Sequence, residues 1–112
     1  MSGLQEKLAH LDARFEEINR RLSDPETLQN QRLLRDLSKE HSELQKIVSA
    51  HASLKRNLSD IAGSREILDQ ESDPEMVDLC KTELTRLEAE RLAVEQKITL
   101  MLLPKDKNDG RN

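Results

Sequence analysis

The chain has 112 residues, 36% of them charged, with 18 basic and 22 acidic side chains and a net charge of -4. Aromatic residues make up 1%, a single Phe15, and glycine and proline number three each. Such a composition excludes a β-sandwich or barrel, which needs β-branched, aromatic and turn residues, and it excludes a glycine-rich phosphate loop. It suits long helices packed side by side.

In chain order, the first predicted helix carries Leu4, Leu8, Leu11, Phe15, Ile18 and Leu22, spaced alternately by four and three residues. That spacing is a heptad stripe. The tetrapeptide Ser23-Asp24-Pro25-Glu26 ends it and recurs as Ser72-Asp73-Pro74-Glu75. Serine three residues before glutamate is capping-box spacing, and aspartate before proline offers a second cap, with proline harmless in the first turn. Both tetrapeptides therefore read as helix starts.

The middle helix is predicted over about 25–70, with a stripe of Leu34, Leu37, His41, Leu44, Val48, His51, Leu54 or Lys55, Leu58, Ile61 and Leu68. A separate short turn over 25–30 is an alternative, because Gln29-Asn30-Gln31 has no apolar residue. Gly63-Ser64 is its weak point, where a bend or a straight passage are both open. The last helix carries Val77, Cys80, Leu84, Leu87, Arg91, Val94, Ile98 and Met101, and Pro104 closes it.

Lengths of roughly 30, 65 and 45 Å follow from the helical rise. Short connections make sequential helices antiparallel. The expected fold is all-α: an elongated antiparallel helical hairpin or three-helix, coiled-coil-like bundle with one long central helix. The expected organisation is a helical domain over 1–103 and a polar linker over 104–112. Such a thin bundle buries little surface for its size, so part of the stripe is expected to need cover from outside the chain.

Candidate chemistry is sparse. His10, His41 and His51 lack metal-ligand spacing, and Cys80 sits on an apolar stripe as a buried, inert thiol. Carboxylate pairs such as Glu16-Glu17 and Glu88 with Glu90 read as solvated helix faces, since acid–base catalysis needs a partly dry concavity. No catalytic residue, metal site or cofactor is expected. Basic clusters at Arg20-Arg21, Arg32 with Arg35, and Lys55-Arg56 read as a solvent face, or as contacts to an RNA backbone or an acidic partner. Without aromatics between them, they are unsuited to stacking on single-stranded bases. One cysteine and no long apolar run suit a cytoplasmic protein without membrane contact.

Four segments carry a resemblance: the heptad helix, RDLSKEHSEL at 35–44, DPEM at 73–76, and above all LMLLPKDKNDGRN at 100–112. Together they resemble the N-terminal domain of bacterial peptide chain release factors of the type that reads UAA and UAG. The resemblance implies an accessory domain that projects toward the ribosomal stalk base, near its protein and rRNA, and that is joined to further release-factor domains. In the family, a Gly-Gly-Gln loop promotes peptidyl-tRNA hydrolysis and a Pro-x-Thr tripeptide reads the codon, both in later domains. This sequence has no Gly-Gly-Gln. Pro25-Glu26-Thr27 matches Pro-x-Thr in letters but lies at a helix start. The expectation is therefore a docking domain, not an enzyme. The alternative is an autonomous coiled-coil adaptor or homo-oligomerisation module, whose stripes would let an isolated fragment self-associate.

Overall fold

The computed structural model describes residues 3–104, which form four helices: α1 (Gly3–Leu22), α2 (Pro25–Gln29), α3 (Gln31–Gln70) and α4 (Pro74–Leu102). There is no strand among the described residues. The all-α reading and the long middle helix hold. Segment 105–112, with most of the proposed linker and of the motif that carries the resemblance, lies outside the described residues.

Of the two caps open at each tetrapeptide, aspartate is the one used. Asp24 and Asp73, not the serines before them, are the N-caps of α2 and α4. Each carboxylate accepts from the backbone N–H two residues on, at 3.1 Å, and each proline occupies the first turn. The Ser23 hydroxyl instead donates back to the Asn19 carbonyl at 3.4 Å. The shorter reach favours aspartate: its oxygens meet the N2 N–H directly, with proline having removed the donor at N1.

The separate turn over 25–30 also proves correct. Asn30 leaves helical angles at φ -106°, ψ 99° and closes α2 by donating its N–H to Thr27. Its side-chain oxygen accepts from Leu33 N–H at 3.1 Å, so it is also the N-cap of α3. An asparagine satisfies orphan groups on both sides because its short amide reaches backbone in non-helical conformations.

The described residues fall into two compact units that divide between His51 and Ala52. In the first, α1 lies antiparallel to the early part of α3, with Asp12 against His51 and Ile18 against Leu37. Ile18, Leu37 and Leu44 are buried, and Leu11, Phe15, Leu22, Leu33 and Ile47 pack on them. Every α1 member of this cluster is on the predicted heptad stripe.

In the second unit the later part of α3 and α4 form a hairpin closed at 71–73. Leu54, Ile61, Leu87 and Ile98 are buried there. The stripe predicted for α3 is out of step at one place: Asn57 is only 6% exposed, whereas Leu58 beside it is 37% exposed. Of the pair Leu54 or Lys55, Leu54 takes the core position. α3 continues as helix through Gly63-Ser64, and a Cβ added at Gly63 would meet no atom within 4 Å. On α4, Leu79, Leu92 and Leu100 stay exposed, as does Leu103 just past its end.

Candidate functional site

The functional question turns on what the polar side chains do, and one set of them is tied together in ion pairs. In the first unit, the Arg14 guanidinium forms a two-point bridge to Glu40, with Nε at 2.7 Å and Nη2 at 2.8 Å, and a third contact to Glu17 at 3.2 Å. The bridge spans α1 and α3. The Arg14 hydrogen bonds hold the Glu40 carboxyl below the usual carboxylate range. In the second unit, Arg86 bridges Glu83 and Glu90, and Arg91 bridges Glu88 and Glu95 one turn to either side. Arg65 on α3 reaches Glu88 on α4. The interruption of the α4 stripe at Arg91 is thus accommodated at a half-buried position by two glutamates at i-3 and i+4.

Where carboxyl shifts occur they run downward, at Glu40 from Arg14 and at Glu83 from Arg86. Such groups stay charged and serve poorly as general acids near neutral pH. Of the carboxylates singled out in the sequence, Glu88 and Glu90 are engaged by arginines and Asn57, and Glu17 by Arg14.

The histidines are spread apart. His10 lies exposed on α1. His41 stacks on Phe15 with ring centroids 4.7 Å apart, and its Nε2 meets Asn19 Oδ1 at 2.9 Å. His51 is buried, with Nδ1 2.9 Å from Asp12 Oδ2. That nitrogen makes no hydrogen bond of ordinary geometry. No group of three or more His, Cys, Asp or Glu among the described residues could hold a metal ion. Cys80 is a free thiol at a half-buried, not fully buried, stripe position.

The surface hollows are open grooves. One of about 480 Å³ lies along α4 beside Leu92, Gln96 and Leu100, and another of about 280 Å³ lies beside Asn57, Asp60 and Glu90. Neither gathers acids and a base around a dry centre. Pro25-Glu26-Thr27 forms the first turn of α2 with Thr27 3% exposed, so this tripeptide cannot present its hydroxyl to a codon. No helix among the described residues is long and apolar enough to cross a membrane.

Sequence reasoning missed Asn57. Its amide donates to the Leu87 carbonyl at 3.0 Å and to Glu90 at 3.4 Å, while its own buried oxygen has no donor. The available signal was an asparagine adjoining a stripe residue, a device that specifies helix register in coiled coils.

The arrangement defines a class: an all-helical domain held by apolar seams and interhelical ion pairs. The model of the PCRF domain matches residues 11–112, and the chain belongs to that family of peptide chain release factors. It is 42% identical over 107 residues to peptide chain release factor 1 of Geotalea uraniireducens, covering 96% of this chain and 29% of the relative. The release factor 1 of Geobacter sulfurreducens is 39% identical over 107 residues, covering 96% and 29%. That of Clostridium botulinum strain Alaska E43 is 37% identical over 109 residues, covering 97% and 30%. The chain thus spans about three-tenths of the length of these relatives. No solved structure matches it.

Proposed function

We propose that this chain serves as the accessory N-terminal domain, over 1–103, of a release factor that ends translation at UAA and UAG. Residues 104–112 would lead into the decoding domain. The observation that carries the reading is the family match over nearly the whole chain, in a sequence with no Gly-Gly-Gln and with its one Pro-x-Thr match folded into α2. Codon reading and peptidyl-tRNA hydrolysis then belong to other parts of the factor, and this part contributes ribosome docking toward the stalk base, in the cytoplasm.

The physical support is the way α1 is fixed on α3. Buried leucines and the two-point Arg14–Glu40 bridge hold α1 against α3 in a defined register, which lets a domain transmit position. The test removes residues 1–112 from the continuous factor and measures ribosome association and release. A loss of association at limiting factor concentration, restored by refusing the segment, is expected. Wild-type binding and release at all concentrations would overturn the accessory role.

A further inference from the structure

α4 carries a second heptad stripe that packs on nothing within its own unit. Thr82, Thr85, Ala89, Leu92, Gln96 and Thr99 are spaced alternately by three and four residues, and all are exposed. Leu103 continues the spacing just past the helix end. The stripe lies on the opposite side of the helix from the buried Leu87 and Ile98, and it is roughly 31 Å long. None of its members is charged, in a chain where 36% of residues are. A solvated face of such a chain would carry charges, so this one is chemically suited to cover.

Its polar members can enter a dry seam. The Thr85 hydroxyl donates to the Lys81 carbonyl at 3.0 Å, and the Thr99 hydroxyl to the Glu95 carbonyl at 2.9 Å. Burying these threonines therefore leaves no donor orphaned. The relief of the face also has the form of a helix-binding seam. One hollow of about 480 Å³ is framed by Leu92, Glu95, Gln96 and Thr99, with Leu100 beside them. Another of about 410 Å³ is framed by Glu75, Asp78, Leu79 and Thr82. Each frame sits at i, i+3, i+4 and i+7, the four residues that receive one side chain of a facing helix in a coiled coil.

We propose that the occupant is α4 of a second copy of this chain, packed antiparallel about a two-fold axis near residues 90 and 91. The stripe is complementary to itself in that register, as a two-fold interface requires. Ala89 falls opposite Leu92 of the second copy, Thr82 opposite Thr99, and Thr85 opposite Gln96, over the larger hollow. Leu103 reaches the hollow at Asp78. Leu79 and Leu100, 64% and 68% exposed, meet along one flank. On the other flank Glu88 faces Glu95, and both are already held by Arg91. A parallel pair fits worse, since it sets Lys81 beside Arg86 and leaves Leu79 and Leu100 apart. A strip one helix wide lies at the small end of specific interfaces, so the dimer is reversible and forms at high protein concentration.

The test follows the mass of the 112-residue chain by sedimentation equilibrium from ~10 µM to ~1 mM. The average mass should climb from 12.9 kDa toward twice that value. Leu92→Glu places like charges at the centre of the interface and should move the association to at least ~10-fold higher concentration. Its site is 53% exposed and glutamate is a good helix former, so circular dichroism should show the fold unchanged. Ile67→Glu, at a 51% exposed position on α3, should leave the association as it is. Orientation is read by oxidation in a Cys80→Ala background. A mixture of the Thr82→Cys and Thr99→Cys chains should give a mixed disulfide, whereas either chain alone should not, its two cysteines lying roughly 25 Å apart. A chain that stays monomeric throughout overturns the proposal, and if its ribosome binding then falls with Leu92→Glu, the face belongs to the ribosome. Association untouched by Leu92→Glu overturns the face. Disulfides within the single-variant chains and none in the mixture overturn the antiparallel register.

Discussion

Replacing Asn57 by leucine should stabilise this protein. The Asn57 amide contributes one good hydrogen bond, to the Leu87 carbonyl at 3.0 Å. A neutral bond of that kind is worth about 1 kcal/mol net. Leu87 lies inside α4, so its carbonyl also belongs to the helix ladder and is not orphaned by the change. Against that loss stand two gains. The buried Asn57 oxygen has no donor, and its desolvation costs about 1–3 kcal/mol. Burying a leucine side chain contributes about 1.5–3 kcal/mol more. Overpacking would oppose this by about 1–3 kcal/mol, but the groove beside Asn57, bounded by Asp60, Ala93 and Val94, offers space for the added carbons. The balance is a stabilisation of about 1–2 kcal/mol, or a rise in Tm of roughly 4 °C or more. Thermal melts followed at 222 nm check it, with Asn57→Asp as the opposite case, since an unpaired buried charge should lower Tm. A fall in Tm for Asn57→Leu would show that the Leu87 bond outweighs the orphaned acceptor, and the reasoning would fail.

Other perturbations follow from the same structure. Ile18→Ala, at a fully buried position against Leu37 and Leu44, should cost about 2–5 kcal/mol in a urea melt. Asp24→Ala and Asp73→Ala should each cost about 1 kcal/mol, while Ser23→Ala, which removes only the long, exposed contact to the Asn19 carbonyl, should change stability by less than ~0.5 kcal/mol. Gly63→Ala should add up to ~1 kcal/mol, because the site is mid-helix and open; a loss there would mean that α3 needs the glycine's freedom. Glu40 titrates lower in the folded protein than its ordinary value of 4.5, because Arg14 holds it ionised. Its contribution is therefore present above that value and lost as pH falls through the lowered one. Glu40→Gln should flatten this part of the stability profile below ~pH 5, by under about 1 kcal/mol given the exposure of the pair.

Much of the architecture was legible from residue spacing. The α1 stripe, the starts at Pro25 and Pro74 and the break near Asn30 all follow from local rules: heptad periodicity, proline's missing donor and a stretch without apolar residues. Family membership was legible too, through short motifs along the whole chain. The decoy Pro25-Glu26-Thr27 could be set aside for the same local reason, its place at a helix start, and the burial of Thr27 agrees.

What periodicity could not decide was which residue of a neighbouring pair enters a seam. Asn57 rather than Leu58 is buried because α4 offers a carbonyl at that height, and a partner on another helix leaves no mark in the spacing of α3. The choice of Asp24 over Ser23 as cap depended on which oxygen reaches the N–H after proline, a matter of distance and not of residue type. Likewise, the sequence shows ten arginines and cannot say which pair with glutamates: Arg14 meets Glu40 across 26 positions, while Arg32 and Arg35 stay exposed on α3. Periodic burial is a property of one helix and is written along it; pairing between helices depends on where a second helix comes to rest, and only the folded chain specifies that.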